Sequence, residues 1–236
     1  GMDHTPRRIE GYDISNTQGV LSVASMVVAI DGEAARKEYR IFRIKTVEGA
    51  NDFASMNEVL TRRLTRAKQE REALAEAGKL PEDGRGLSGF ADLPDLILID
   101  GGPQQLRFAR EAMLKVGYDI PIFGLAKRLE EIFLPDQEES ILLDRKSPAL
   151  HLIQRVRDEA HQFGITHHRD LWQKAGMHST LEDIPGIGAT RRRALLTHFK
   201  SVANIANAAP EELCEVEGIG KAQAKVIWDY YHQKPE

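Results

Sequence analysis

LEDIPGIG, residues 181–188, returns 32 positions later as LCEVEGIG, residues 213–220. The same offset relates the runs that follow, for example Leu195 to Ile227. A constant offset over so many positions indicates two copies of one structural unit. In each copy the pattern predicts a helix that ends, a turn through Gly-Ile-Gly and a second helix. We therefore expect an all-α tandem helix-hairpin-helix domain at residues 179–236, with each turn's isoleucine packed into its own hairpin.

Both turns suit a nucleic-acid backbone. Their N–H groups lie at the positive end of the next helix dipole, which favours a phosphate, and glycine permits close approach. An ordinary helical hairpin with glycine C-caps is the alternative. Two copies in register, each followed by cations, favour nucleic-acid binding. The predicted DNA contacts are Gly186, Ile187, Gly188, Arg191 and Arg192 in the first copy and Gly218, Ile219, Gly220, Lys221 and Lys225 in the second.

The composition excludes several classes of protein. The net charge of the 236 residues is -4, and residues 179–236 hold seven Lys and Arg against eight Asp and Glu. DNA contacts must therefore be local, made by N–H groups and small cationic clusters. The single cysteine, Cys214, excludes an internal disulfide and fits the reducing cytoplasm. No apolar run approaches a membrane span. Gly1 before Met2 suggests a fragment of something longer.

Residues 1–178 predict a mixed sheet flanked by helices, because three consecutive strands precede an alternation of helices and strands. The turn Asp31-Gly32 is a strong hairpin signal, and residues 178–180 are the predicted linker. The predicted strands are 8–14, 21–30, 38–46, 93–99 and 122–125, with short ones at 132–134 and 141–143, and the predicted helices are 53–77, 103–116 and 148–168.

Two aspartates stand at predicted strand ends. Asp13 lies at the end of the first strand, and Asp100 follows a run that reads as buried on both faces. If the strands are neighbours, both carboxylates meet at the sheet edge where ligands of α/β proteins collect. A buried carboxylate needs a cation, and Mg²⁺ or Mn²⁺ would supply one. The alternative is that Asp100 caps the next helix or opens a turn.

Three further sets of residues are candidates. His161 shares a polar helix face with Arg157 and Asp158 and could complete a metal site or carry a proton, although a lone helical histidine is more often a surface residue. Asp52 begins the long predicted helix, where capping explains it without a function. The pairs Arg62-Arg63 and Arg155/Arg157 could contact phosphates, but such charge is more often only solvated.

The same residues carry a resemblance to a known family. The sequence resembles the C-terminal half of UvrC, the endonuclease subunit of bacterial nucleotide excision repair. The similarity runs in order from about residue 7 to residue 232 and includes the tandem hairpins. The segments that resemble it are 11–17, 51–56, 98–102, 124–127 and 155–163.

The resemblance implies an RNase H-like fold for residues 1–178 and a metal-dependent cut 5′ to a DNA lesion. It also implies that double-stranded or bubble DNA and a UvrB–DNA complex are partners, although the family's UvrB-binding segment is absent from this sequence. The catalytic positions of the family fall on Asp13, Asp100 and His161, with Asp52 as a further acidic position. Asp13, Asp100 and His161 would then be the metal ligands, around one ion or two.

The sequence departs from the family at two places. The stretch 166–174, which tends to be strongly basic in the family, contains Asp170 and Trp172, and Pro103 stands where the family often has lysine. Because both changes remove positive charge, we expect weaker DNA binding rather than altered chemistry. The rival functions are a non-catalytic platform for DNA and a junction-cutting nuclease of the RNase H type.

Overall fold

The computed structural model describes residues 2, 4–17, 21–47, 51–127, 129–137, 139–177, 181 and 183–232. The chain folds into two compact units, Gly1–His167 and His168–Glu236. The predicted linker, residues 178–180, lies outside the described residues. Within the described residues, no helix has both the length and the apolar character that a membrane span requires.

The first unit is built on a seven-stranded sheet with the order β3-β2-β1-β5-β6-β7, and β4 pairs with β2. β1 runs antiparallel to β2 and parallel to β5, and β5 runs parallel to β6, so the predicted mixed sheet is confirmed. The strands are β1 (Arg8–Thr17), β2 (Leu21–Ile30), β3 (Glu33–Ala34), β4 (Arg40–Arg43), β5 (Leu96–Asp100), β6 (Ile122–Ala126) and β7 (Glu131–Phe133). The helices are α1 (Asp52–Glu76), α2 (Pro103–Val116) and α3 (Pro148–Met177).

Helices cover both faces of the sheet. α1 and α2 enclose one hydrophobic core, and α3 encloses the other. The inner face of α1 packs in the first of these cores, where Met56, Val59, Leu60 and Leu64 are all fully buried. The turn between β2 and β3 is the predicted one: Asp31 and Gly32 have φ of 51° and 79°, the left-handed values of a tight hairpin.

Several predicted boundaries differ from the structure. β1 runs to Thr17 instead of ending at residue 14, and β5 begins at Leu96 instead of residue 93. Residues 141–143 do not form a strand, since only Ile141 makes an isolated bridge, to Ile132 of the short edge strand β7. The predicted strand at 38–46 is reduced to β4 because the residues before it, Arg36–Glu38, turn as a 3₁₀ helix. α3 runs to Met177 instead of ending at residue 168.

A buried ionic cluster joins α1 to β1. Arg63 Nη2 donates to Glu10 Oε1 at 2.7 Å, and Tyr12 donates to Glu10 Oε2 at 2.6 Å. Burial alone would raise the pKa of Glu10, but the charges of Arg63 and Arg8 hold it below its ordinary value. Arg63 is fully buried, so its suggested contact with a phosphate is wrong.

The second unit begins within α3, at His168, and contains α4 (Ala189–Phe199), α5 (Val202–Asn207), α6 (Pro210–Leu213) and α7 (Lys221–His232). Its two Gly-Ile-Gly turns have the same conformation: Gly186 and Gly218 have φ of 83° and 84°. Ile187 and Ile219 are both buried in the core of this unit, as predicted. α4 and α7 begin directly after the turns, so their first N–H groups have no acceptor within the helix.

Candidate metal centre and nucleic-acid interface

Neighbouring parallel strands bring Asp13 and Asp100 together. Tyr12 of β1 pairs with Ile99 of β5, and the two aspartates are the next residues on their strands. Equal positions on adjacent strands project to the same face of the sheet. Asp13 is 5% exposed and Asp100 is 6% exposed. The predicted convergence of the two carboxylates is therefore confirmed, but only Asp100 ends its strand, because β1 continues past Asp13 to Thr17. Gly102 rather than Asp100 is the N-cap of α2.

His161 completes a three-residue cluster. Its Nδ1 lies 3.2 Å from Asp13 Oδ2. One ligand atom from each of Asp13, Asp100 and His161 lies within 4.8 Å of the others. The preceding residue, Ala160, is buried against the sheet, and this packing holds His161 close to Asp13 and Asp100. The structure thus brings together the three residues that sequence reasoning assigned to the metal site.

Two glycines allow α3 to lie this close to β1. A Cβ on Gly11 would lie 2.6 Å from Val156 Cγ1. A Cβ on Gly164 would lie 2.9 Å from Ser15 Oγ and 3.5 Å from Asp13 Oδ2. Sequence reasoning missed Gly164, because nothing in the sequence of a helix shows that another element approaches it.

Burial dominates the electrostatics of Asp100. Burial, the largest cause, and the negative charge of Asp13 together raise the pKa of this carboxyl from 3.8 to about 6, against the opposing effect of Lys127. Two carboxylates at close range in an apolar site repel each other unless a cation lies between them. The pKa stays raised although the ammonium of Lys127 lies close to Asp100, so this lysine offsets only part of the cost of burial and repulsion.

Lys127 is a member of the site that sequence reasoning did not assign. Its Nζ lies 3.0 Å from Asp100 Oδ2 and 3.4 Å from His161 Nδ1, and the side chain is 54% exposed. It follows β6, the parallel neighbour of β5, so the same strand-end argument that selected Asp100 could have selected it. In the sequence, segment 124–127 contributes only to the family resemblance, and no role is predicted for Lys127.

Asp52 stands near the cluster without joining it. Its pKa is raised by burial and by the negative charge of Asp13. The suggested capping role is wrong: Asn51 is the N-cap of α1, and its side chain accepts from the N–H of Ala54, while Asp52 is the first helical residue. Asp52 is affected by burial and by the charge of Asp13, as the centre itself is. A catalytic contribution from Asp52 therefore remains a proposal.

The donor set fits a divalent cation. Two carboxylates and an imidazole are ligands that Mn²⁺ accepts, and carboxylates with water suit Mg²⁺. Asp100 Oδ2 is buried and has no hydrogen bond, because Lys127 approaches it outside hydrogen-bond geometry. The ammonium of Lys127 provides positive charge beside this oxygen, and a divalent cation would bind there in competition with it.

The two arginines Arg155 and Arg157 of α3 differ in their surroundings. Arg157 is buried and donates to Glu130 at 2.6 Å and to Asp158 at 2.8 Å, so a role as a free phosphate contact is wrong. Arg155 is exposed.

Of the two departures from the family, Pro103 begins α2, where proline is favoured. The side chains of residues 168–177 lie outside the described residues.

The turns of the hairpin unit are exposed to solvent, and the cationic side chains near them differ in what they contact. Lys221 and Lys225 are exposed on α7. Arg191 donates instead to the carbonyls of Gly186 and Gly218, at 2.8 and 2.9 Å. A guanidinium engaged with two backbone carbonyls is a weaker candidate for a phosphate contact than an exposed lysine.

Comparison with known proteins decides the family. The model of the UvrC RNase H endonuclease domain matches residues 1–165. The chain belongs to this UvrC family. A second model, the SAM-like helix-hairpin-helix tandem, matches residues 179–228. The RNase H-like fold and the tandem hairpins are therefore both established.

Relatives named UvrABC system protein C match nearly the whole chain. The one from Gloeobacter violaceus is 46% identical over 100% of this chain, and the one from Dehalococcoides mccartyi strain CBDB1 is 48% identical over 96%. This chain spans about a third of their length, 35% in both cases. A solved endonuclease V from Ciona intestinalis in complex with DNA is 13% identical, with a TM-score of 0.38 over 70% of this chain and 87% of that one. A likeness that distant does not bear on function.

Proposed function

We propose that this chain is the nuclease part of a UvrC protein and hydrolyses a DNA phosphodiester 5′ to a lesion in nucleotide excision repair. The observation that carries the proposal is the convergence of Asp13, Asp100 and His161, whose ligand atoms lie within 4.8 Å of one another. A platform that only holds DNA has no use for two buried carboxylates at such close range. The same geometry would be costly to the fold without a cation.

Asp13 and Asp100 would hold Mg²⁺ or Mn²⁺, with His161 as a third ligand. Such an ion supplies Lewis-acid polarisation of the phosphate and lowers the pKa of a bound water. If His161 is not a ligand, its Nδ1 faces Asp13 and its Nε2 is free to exchange a proton with the attacking water or the leaving oxygen. The ammonium of Lys127 adds positive charge at the point where the phosphate would lie.

The tandem hairpins would hold the DNA. Exposed N–H groups of the turns at Gly186–Gly188 and Gly218–Gly220, with Lys221 and Lys225, supply local contacts where the net charge of -4 supplies no general attraction. We place the boundary between the two functions at residues 178 and 179. The relatives' name assigns them to a UvrABC system, so the proposed partners are double-stranded or bubble DNA and a UvrB–DNA complex in the cytoplasm.

A nicking assay tests this proposal. End-labelled duplexes carrying a bubble or a single lesion are incubated with the chain and Mn²⁺, with and without UvrB, and the cut is mapped. We expect a nick 5′ to the lesion, and a loss of about a hundredfold or more in the Asp13→Asn, Asp100→Asn and His161→Ala variants. Asp119→Asn is the matched control, because Asp119 is exposed.

Three outcomes separate the rivals. Wild-type cutting by Asp13→Asn or Asp100→Asn, with DNA binding intact, would refute the assigned site. A preference for four-way junctions over bubbles would indicate a junction-type nuclease. DNA binding without any cutting, together with no carboxylate-dependent Mn²⁺ site in calorimetry, would indicate a platform.

A further inference from the structure

Arg191, on the first turn of α4, connects the two Gly-Ile-Gly turns. Its Nη1 donates to the carbonyl of Gly186 at 2.8 Å, within its own hairpin. Its Nε donates to the carbonyl of Gly218 at 2.9 Å, in the other hairpin. Gly186 and Gly218 are equivalent positions of the repeat. One guanidinium therefore bridges the corresponding points of the two turns.

The bridge breaks the symmetry of the repeat. The residue equivalent to Arg191 in the second copy is Gln223. A guanidinium is planar, and its N–H donors point in fixed directions. Two hydrogen bonds from one such group therefore constrain both the distance and the angle between the two acceptor carbonyls. A lysine has a single ammonium on a flexible chain and imposes no such geometry.

We infer that Arg191 is a positioning residue that holds the two turns at the spacing and orientation at which both bind phosphates of one DNA molecule. The inference rests on the proposed DNA-binding role of the hairpins. Two linked sites bind much more tightly than either alone when their separation matches the ligand, and the gain falls when the link is loosened. Arg191 thus contributes to affinity without contacting DNA.

The rival role is a direct contact between Arg191 and a phosphate. The two roles differ in their dependence on charge. A direct contact releases a counterion, so removing the charge lowers the slope of log affinity against log salt by about 1, and lysine largely substitutes for arginine. A bridge between carbonyls releases no counterion, so its loss leaves the slope of log affinity against log salt unchanged. Lysine does not restore the geometry of the bridge.

The test measures binding by the full 236-residue chain to a fluorescent bubble duplex over a range of salt, in EDTA so that no metal-dependent step intervenes. Arg191→Lys and Arg191→Met are compared with Arg193→Lys and Arg193→Met. Arg193 is exposed two residues further along α4 and serves as the matched control for charge on this helix. We expect both Arg191 variants to weaken binding about tenfold with an unchanged salt slope.

Each other outcome contradicts the inference. Wild-type affinity in Arg191→Lys, with a lower salt slope in Arg191→Met, would identify a direct phosphate contact. Wild-type affinity in both would mean that the bridge has no role in binding. Loss of the helical circular dichroism of the variants would make Arg191 a residue of the fold, although twelve buried apolar residues hold this unit. A wild-type chain that binds no DNA would overturn the proposed function of the hairpins as well.

Discussion

Nδ1 of His161 lies 3.2 Å from Oδ2 of Asp13, although 148 positions separate the two residues in the chain. The contact depends on how α3 packs against the sheet, since His161 lies on the helix and Asp13 on the central strand β1. Close packing at Gly11 and Gly164 makes the approach possible. The candidate centre is therefore sensitive to changes that touch none of its ligands.

Gly164→Ala tests this sensitivity. The new Cβ would lie 2.9 Å from Ser15 Oγ and 3.5 Å from Asp13 Oδ2, so either Ser15 rotates away from Asp13, to which it donates, or α3 shifts. Displacing reacting groups by a fraction of an ångström is expected to slow nicking about tenfold while leaving DNA affinity unchanged. Gly102→Ala is the control, because a Cβ there meets nothing within 4 Å. Unchanged nicking by Gly164→Ala would show that the helix approach is not critical.

Lys127→Met should tighten the binding of Mn²⁺. The ammonium lies 3.0 Å from Asp100 Oδ2, so its charge opposes a cation that approaches the same oxygen. Because the side chain is 54% exposed and solvent screens it, we expect an effect of about fivefold in the dissociation constant. Titration calorimetry without DNA measures it, with Lys146→Met, at an exposed lysine, as the control. Weaker Mn²⁺ binding by Lys127→Met would mean that the lysine supports the site instead of opposing a cation.

Asp100→Asn should stabilise the first unit at neutral pH. The pKa of Asp100 is raised to about 6 by burial, so its favourable contribution to folding is present below the unfolded value and is lost as pH rises through about 6. Asparagine does not ionise. We therefore expect a gain of about 2 kcal/mol in unfolding free energy at about pH 7.5 that disappears toward about pH 4.

The measurement is urea unfolding in EDTA, followed at both pH values, with Asp119→Asn as an exposed control. A gain of equal size at the two pH values would contradict the electrostatic explanation, because a packing effect does not depend on the ionisation of Asp100.

Arg63→Met should destabilise the first unit strongly. The substitution leaves Glu10, which is fully buried, without the guanidinium that lies 2.7 Å from its carboxylate. Removing one partner of a buried pair costs about 3 kcal/mol or more. The neighbouring variant Arg62→Met is the control: Arg62 is 35% exposed and pairs with Glu58, so its loss should cost less than about 1 kcal/mol. Urea midpoints that fall equally in the two variants would contradict the burial argument.

Periodicity and strand-end rules predicted much of the fold from the sequence. β2 and α2 have the predicted bounds, Leu21–Ile30 and Pro103–Val116. Asp13 and Asp100 could be placed together by expecting the two strands to be neighbours, although the structure joins them by register and not by a shared end, since β1 continues to Thr17. The role of His161 needed the family resemblance in addition, since a histidine on a helix face does not show what the helix packs against.

What could not be predicted depends on contacts between distant segments. Arg62 and Arg63 look alike in sequence, yet Arg63 is buried because Glu10 lies under α1. Residues 141–143 are apolar enough for a strand, but β7 offers them only a three-residue edge. In the sequence Arg191 resembles a DNA contact, but in the structure it donates to the carbonyl of Gly218. The partners of Arg63 and Arg191 lie 53 and 27 positions away in the chain.

The measurement that tests the central claim most directly is a calorimetric titration of the chain with Mn²⁺ in the absence of DNA. We predict a binding site that is present in the wild type and in Asp119→Asn and is lost in Asp13→Asn and in Asp100→Asn. Mn²⁺ binding that persists with wild-type affinity in both of the last two variants would show that Asp13 and Asp100 do not form the metal centre.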